Sequence, residues 1–496
     1  MEKSTNSEEI PRQTDSATLQ FAIVGGFALF WACFFTMLMR NAFLDAGIEQ
    51  LWYHLALRIA FFTGFGACAY VLAHVRDGVV SPRRRRVMVG LVVLFAAVAV
   101  VSSVSFALTG IPHVLAFDLV VWIVSGVGLC SLLFYWLPTL ARVSARSLAL
   151  CLALSVACGS ALYLIVNLLP APANVIMLAV CALMSPAVRA AVARDEADPD
   201  ATSIPLGASK KNARLSWSFG IIYLVYGIVF GLGAGSVTQL DGGSELFGGI
   251  AAFAAVGAGA AFLFMRRFAG CMRQSDVLRL LFPVLVVSLV PMAFFTGTVY
   301  ALCNLLLLAS YVFLVVVSVM YELQTALKRQ ASPLFFVGMS QTALSGGLVV
   351  GFALGLLPSM AGTLDYAMLS AVALGLVVLL AVLITVAPAN MPLDAESAEG
   401  AAEGASETDD DHPEQGRWKA RCATVARNAK LSARETEVFM LLAKGRGIEH
   451  IQNKLCISGH TVKTHTYNIY RKMGINSREE LLDAIEAADP DAVRPT

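Results

Sequence analysis

Charge is what this chain has least of. Only 14% of its 496 residues are Asp, Glu, Lys or Arg, while 57% are apolar. Soluble domains carry about a quarter charged residues, so an ordinary water-soluble fold is excluded for most of the length. The ten cysteines include no CxxC pair and no Cys/His set at metal-ligand spacing, which argues against a metal site or a disulfide framework. Eight of them (Cys33, Cys68, Cys130, Cys151, Cys158, Cys181, Cys271, Cys303) sit in or beside apolar runs, where cysteine acts as a small hydrophobe. Cys422 and Cys456 lie in the polar C-terminal part. There is no glycine loop fit to cradle a phosphate, no GxSxG, and no paired carboxylates placed for a catalytic pocket. Neither an enzyme nor a cofactor is expected.

What the chain does have is long apolar runs. Twelve of bilayer length are expected, at 19–39, 51–73, 87–108, 114–137, 147–169, 173–193, 217–238, 246–265, 278–298, 299–320, 334–357 and 366–387. The first eighteen residues are polar and acidic with no small-residue cleavage site after the first run, which reads as an uncleaved span rather than a signal peptide. Lys and Arg favour the cytoplasmic side of a membrane. With the N-terminus inside, the inner loops hold Arg76 and Arg83–Arg86, then Arg142 and Arg146, then Arg194, Lys210, Lys211 and Arg214. The later ones hold Arg266, Arg267 and Arg273, and finally Lys328 and Arg329, whereas the outer loops offer only Arg40. The expectation is a multi-pass protein of a bacterial cytoplasmic membrane with both termini in the cytoplasm.

The loop 194–216 divides the spans six and six, and the basic link HVRDGVVSPRRRR has a counterpart, RRFAGCMRQSD, two spans into the second half. This arrangement resembles the major facilitator superfamily. The usual loop motif of that family persists only as Arg76, Asp77, Gly78 and a displaced arginine run. The resemblance implies two pseudo-twofold halves, 19–193 and 217–387, around a central cavity.

Small residues recur every fourth position in span seven (Gly227, Gly231, Gly235) and span eleven (Gly347, Gly351, Gly355). Two readings stand: close helix packing, or helices that slide between states. Ionisable and amide groups inside spans point to ligand sites. His54 and Arg58 lie one turn apart on span two, Asp118 in the outer part of span four, Asn167 and Asn304 in the outward half, and Gln341 nearer the inner side. One reading is an outward polar cavity with Arg58 anchoring an anionic or polar small molecule. The other pairs Arg58 with Asp118, or lets Arg58 snorkel to the interface, with nothing bound.

From Pro388 to Gly416 the composition turns to Ala, Gly, Ser and acid, which cannot bury enough surface to order itself. A coil of this length reaches ~30 Å on average. Its acidic run Asp409–Asp411 reads either as a solvated spacer or as a competitor for a basic face downstream.

Residues 417–496 read differently again. Arg417–Lys430 has a lead-in helix pattern with Trp418, Cys422 and Val425 on one side. Ser432 and Glu435 form a capping box before the apolar stripe Val438, Phe439, Leu441 and Leu442, and Gly445 suits a left-handed helix end. A second helix contributes Ile448, Ile451 and Leu455. Ser458 can cap a third, which buries Val462, Ile469 and Met473 and stops at Gly474. Ser477 and Glu480 then open a fourth, with Leu481, Leu482 and Ile485 facing inward. The third helix carries Lys463, Thr464 and Tyr467 on one face, long donors placed to reach base edges in a major groove. Ser458, Thr461, Arg471 and Lys472 are placed for phosphates. Between Arg417 and Glu486 there are thirteen Lys or Arg against seven Asp or Glu, a basic excess suited to DNA.

The elements LSARETEV, AKG, ISGHTVKTH and NIYRKMGINSREEL closely resemble the LuxR-type helix-turn-helix family over about fifty-five residues. The resemblance implies base reading by Lys463, Thr464 and Tyr467, phosphate contact near Thr461 and Lys472, and homodimerisation on double-stranded DNA through the fourth helix, with Leu482 or its neighbours facing a second copy. Gly447-Ile448 replaces the usual polar cap and Gln452 stands where that family has Ala, which leaves the groove angle open. No soluble receiver or autoinducer-binding domain precedes the reader, so the membrane bundle stands in the sensor's place. The expected fold is all-α: a polytopic bundle of about twelve transmembrane helices, then a four-helix DNA-binding domain. The expected function is a membrane-bound transcriptional regulator, with a transporter bearing a regulatory DNA-binding tail as the alternative.

Overall fold

The computed structural model describes residues 16–39, 51–75, 82–109, 114–170, 172–195, 217–234, 243–268, 274–292, 294–295, 297–328, 332–360, 368, 371–379, 413–448, 451, 455, 459–475 and 477–488. Among the described residues every regular element is a helix. The chain divides into two compact units, the first Met1–Arg267 with Gln274–Leu393, the second Asp394–Thr496 with Phe268–Arg273.

The first unit contains α1 (Ala17–Met39), α2 (Leu51–Ala73), α3 (Pro82–Thr109), α4 (Leu115–Leu140), α5 (Ala145–Leu168) and α6 (Ala173–Asp195). It continues with α7 (Trp217–Ala234), α8 (Gly243–Phe268), α9 (Gln274–Met292), α10 (Thr298–Lys328) and α11 (Pro333–Met360). Nine helices among the described residues are long and apolar enough to cross a bilayer, and Gly220–Gly233 and Leu281–Met292 are shorter apolar helices. Of the expected twelfth span, residues 368 and 371–379 are described and are helical; the remainder lies outside the described residues. Side chains such as Phe21, Leu108 and Phe294 are 78%, 81% and 78% exposed. Outward apolar surface of this kind is stable only against lipid, and the chain is a multi-pass membrane protein.

Two boundaries differ from the sequence expectation. Helix α3 starts at Pro82, not residue 87, because proline is well suited to a first helical turn and takes Arg83–Arg86 into the helix behind it. Helix α10 runs eight residues past the expected end at 320, to Lys328, and so carries Glu322 into the bundle.

The same helix pairings recur six helices on. Helix α1 packs on α5 as α7 packs on α11, and α3 on α4 as α9 on α10. The glycine stripes explain one of these contacts. A Cβ on Gly347 would lie 2.1 Å from the Leu224 carbonyl oxygen, and one on Gly227 would lie 2.4 Å from that of Leu344. Gly231 and Gly351 repeat the approach one turn on, where a Cβ on Gly351 would meet the Ile228 oxygen at 2.5 Å. These four glycines are packing residues. Gly355 is looser, with the Leu55 side chain 3.6 Å from its ideal Cβ, and Gly235 lies outside the described residues.

The second unit contains α12 (Pro413–Asn428), α13 (Ala433–Ala443), α14 (Gly459–Met473) and α15 (Arg478–Glu486). Its core joins Cys422, Val438, Phe439, Ile451, Val462, Ile469, Leu481 and Ile485, with Trp418, Leu455 and Met473 packed against it. Three helix ends share one device. Lys430, Gly445 and Gly474 take positive φ of 48°, 78° and 69°. The amides of Leu431, Arg446 and Ile475 reach back five residues to the carbonyls of Ala426, Leu441 and Tyr470. That is the Schellman closure, which satisfies carbonyls a helix end leaves open. Helix α12 begins at Pro413, earlier than expected, and packs on both α13 and α15. Two expected core residues lie outward: Ile448 is 42% exposed and Leu482 36%. With Ile451, Leu481 and Ile485 buried, the small core is filled before either can enter.

Candidate nucleic-acid interface and intramembrane polar groups

Two side-chain hydrogen bonds tie together the elements around helix α14. The Arg434 side chain donates to the Leu455 carbonyl oxygen at 2.5 Å, and that of Arg478 to the Leu442 carbonyl oxygen at 3.1 Å. Val462 and Ile469 are buried, so the opposite side of α14 faces out. There Lys463, Thr464, Tyr467 and Arg471 are exposed and Thr461 is half-buried. Tyr467 is 65% exposed, and the Arg471 guanidinium lies 5.8 Å from its ring centre. The Thr464 hydroxyl donates to the His460 carbonyl oxygen at 3.0 Å, which leaves its methyl and oxygen lone pairs for a partner. One exposed face thus holds a cation, a methyl and a phenol, the groups that read base edges, beside a stacked guanidinium. Ser458 lies outside the described residues, as does Gln452.

Lys472 is used differently from the sequence expectation. Its ammonium donates to Glu435 Oε2 at 2.5 Å and to the Lys430 carbonyl oxygen at 3.3 Å, tying α14 to the start of α13. Glu435 also accepts from the Ser432 amide at 2.8 Å while Ser432 caps the Glu435 amide, completing the capping box. The Lys472 ammonium, and then the Ser432 amide, hold the Glu435 carboxyl at about 2, well below the usual carboxylate range. A depressed folded-state value means that this contribution is whole above about pH 4.5 and is lost as pH falls toward 2. Glu435→Gln is therefore expected to cost about 1–2 kcal/mol at pH 7. Urea unfolding of wild type and variant should give converging midpoints at pH 3. A gap unchanged between pH 7 and pH 3 would contradict the assignment.

In the membrane unit the residues expected at a ligand site lie on α2, α4, α5 and α10. Arg58 is 1% exposed with its guanidinium 5.7 Å from the Phe352 ring centre, and Asp118 accepts from the Tyr53 hydroxyl at 2.5 Å. His54 is half-buried. Asn167 donates to the Thr36 hydroxyl at 3.3 Å and to the Tyr163 carbonyl oxygen at 2.8 Å, and so helps join α1 to α5. Asn304 donates one turn back to the Tyr300 carbonyl oxygen at 3.4 Å. Sequence reasoning missed Glu322, which is fully buried. Ser340 and Tyr223 are polar neighbours, yet neither carboxyl oxygen has a hydrogen-bond partner, and Ser340 donates instead to the Val337 carbonyl oxygen at 2.9 Å. The misjudged end of α10 hid it.

These features define a class: a polytopic membrane protein carrying a helix-turn-helix DNA-binding domain. Residues 429–485 match the family described as "Bacterial regulatory proteins, luxR family", and this C-terminal domain is a LuxR-type DNA-binding domain homologous to those of transcriptional regulators. Transcriptional activator protein CarR of Pectobacterium carotovorum subsp. carotovorum is 47% identical over 62 residues, which cover 12% of this chain and 25% of that protein. Oxygen regulatory protein NreC of Staphylococcus aureus (strain JH9) is 43% identical over 53 residues, 11% of this chain and 24% of its own. The chain spans about a quarter of the length of these relatives. Among solved structures, the major facilitator superfamily transporter FucP in its outward conformation aligns with 73% of this chain and 98% of its own, at 14% identity and a TM-score of 0.44. The nucleoside transporter NupG aligns with 74% and 98%, at 11% identity and a TM-score of 0.45.

Proposed function

We propose that this chain is a membrane-bound transcriptional regulator whose bundle senses a small molecule or a membrane state and sets the activity of the DNA reader. The observation that carries the reading is the union in one chain of an apolar helix bundle and an exposed Lys463–Thr464–Tyr467 face on a well-cored helix-turn-helix. Base reading falls to these three residues and phosphate contact to Thr461, Arg471 and Ser458. Lys472 can add a phosphate contact through a remaining proton without releasing Glu435. Two copies pair on DNA through α15, where Leu482 is exposed.

Both termini are cytoplasmic in this reading, and residues 388–412 form the tether. The Lys/Arg alternation supports that orientation. So does Arg189, buried at the end of α6, whose guanidinium stacks 4.2 Å over Tyr135 and donates to Thr139 at 2.6 Å beside the proposed inner surface. Crosslinking the full chain to chromatin and sequencing the recovered DNA tests the reading: discrete promoter peaks are expected, and uniform recovery across the genome would refute it. A second reading, a transporter with a regulatory tail, draws on one observation, the buried Glu322. Saturable, gradient-driven uptake into vesicles would favour it.

A further inference from the structure

One cavity in the membrane unit is built unlike its surroundings. Walls from α1, α2, α4, α5, α10 and α11 line a cleft partly open to the exterior, whose empty space, open solvent included, is about 390 Å³. Most of the lining is apolar, with Phe30, Trp31, Phe34, Phe65 and Tyr311 supplying ring surface. Trp31 is 2% exposed and stacks on Phe35 at 5.4 Å. Tyr311 lies parallel to Phe34 at 6.3 Å and stacks on Phe230 of α7 at 4.3 Å. The cavity wall thus links helices of the α1–α6 set to helices of the α7–α11 set.

Two polar atoms of the lining have no hydrogen-bond partner: Trp31 Nε1 and Gln341 Nε2. Gln341 is 4% exposed. Both atoms are donors. A buried donor left unsatisfied is costly, so the lining calls for acceptors. Water accepts from these donors only by turning its own protons toward Gln341 Oε1, the Tyr311 oxygen or ring carbon, since a buried water needs about two to four polar partners. A carbonyl or ether oxygen accepts without bringing a proton of its own. No cation among the lining residues balances a carboxylate, which would be desolvated there at high cost.

We infer that this cavity is a ligand site for small, uncharged, aromatic or otherwise flat apolar molecules bearing a hydrogen-bond acceptor, with Trp31 and Gln341 as its two donors. It deepens the regulator reading, and rests on it only for the consequence of binding. The ligand class differs from the anionic one that Arg58 suggests. As it stands the rings leave enclosed room for roughly one or two waters, so a ligand must part Phe34 from Tyr311. Tyr311 carries that displacement to Phe230 and α7. Occupancy would then change how helices α1–α6 meet α7–α11.

Three probes of one shape test the assignment on the full chain in nanodiscs, by ligand-observed NMR. Acetophenone has the ring and the acceptor, ethylbenzene the ring alone, and benzoate the ring with a charge. Acetophenone is expected to bind saturably with a Kd of about 1 mM or below. Ethylbenzene should bind about tenfold more weakly, the worth of one hydrogen bond, and benzoate should not compete. Gln341→Leu should weaken acetophenone about tenfold and leave ethylbenzene unchanged. Trp31→Phe, which keeps a ring, should act in the same direction and serves where the first variant fails to fold. Absence of saturable acetophenone binding, equal binding of ethylbenzene, competition by benzoate, or indifference to both substitutions would each overturn the proposal. Failure here with promoter peaks intact removes the cavity and leaves the regulator. Binding as expected with no promoter peaks does the reverse.

Discussion

Replacing Lys463 by Ala is expected to weaken sequence-specific DNA binding severely while the reader stays folded. Lys463 is exposed in the N-terminal half of α14, on the side away from buried Val462 and Ile469. Losing one good base contact costs about 1–3 kcal/mol of discrimination, roughly 5- to 150-fold in affinity. Binding to random DNA should fall much less, because phosphate attraction does not depend on sequence. Arg471→Ala should show the complementary pattern, weakening all sequences alike and flattening the salt dependence. Lys472→Ala should do neither cleanly, since its first effect is to release Glu435 and lower stability. Fluorescence anisotropy on residues 413–496, at two salt concentrations with specific and scrambled duplexes, separates the three. Unchanged specific binding by Lys463→Ala would refute the assigned face.

The second large effect lies in the bilayer. Gly347→Leu is expected to break the packing of α7 on α11, because the first added carbon would already lie 2.1 Å from the Leu224 oxygen and 2.9 Å from Gly227 Cα. The obstacle is backbone on both sides, with no flexible side chain to move away. Overpacking typically costs about 1–3 kcal/mol even where neighbours can shift, so Gly347→Ala should fall at or above that range and Gly347→Leu beyond it. Gly355→Ala is the control, since its Cβ would meet only Leu55 at an ordinary 3.6 Å. Thermal unfolding of the purified full chain, followed by exposure of its membrane cysteines, measures all three. A wild-type midpoint for Gly347→Leu would contradict this account of the α7–α11 contact.

What could be read from sequence was the local physics. Ser432 with Glu435, Gly445 and Gly474 are legible because a cap or a left-handed turn is decided within a few residues. Lys472 on Glu435 spans 37 positions, and nothing near either residue announces the pair. Ile448 and Leu482 lie outside the core: periodicity marks an apolar face without saying whether the core has room for it, and for Leu482 the outward position agrees with the expectation that it faces a second copy. The donor-lined cavity was out of reach for the same reason. Trp31 reads as one more membrane aromatic until α10 and α11 bring Tyr311 and Gln341 around it.

The packing of α12 on α15 has a mechanical side. As the proposed tether, residues 388–412 lead into Pro413, the first residue of α12, so a pull on the reader would arrive there first. A helix loaded at one end opens turn by turn, like a zipper, and yields to far smaller forces than contacts sheared all at once. Under tension α12 would therefore peel from α15 while the cored helices α13 and α14 hold their shape. In the proposed regulator, docking on a distant promoter would then uncover α15, the helix assigned to pairing, by stretch alone.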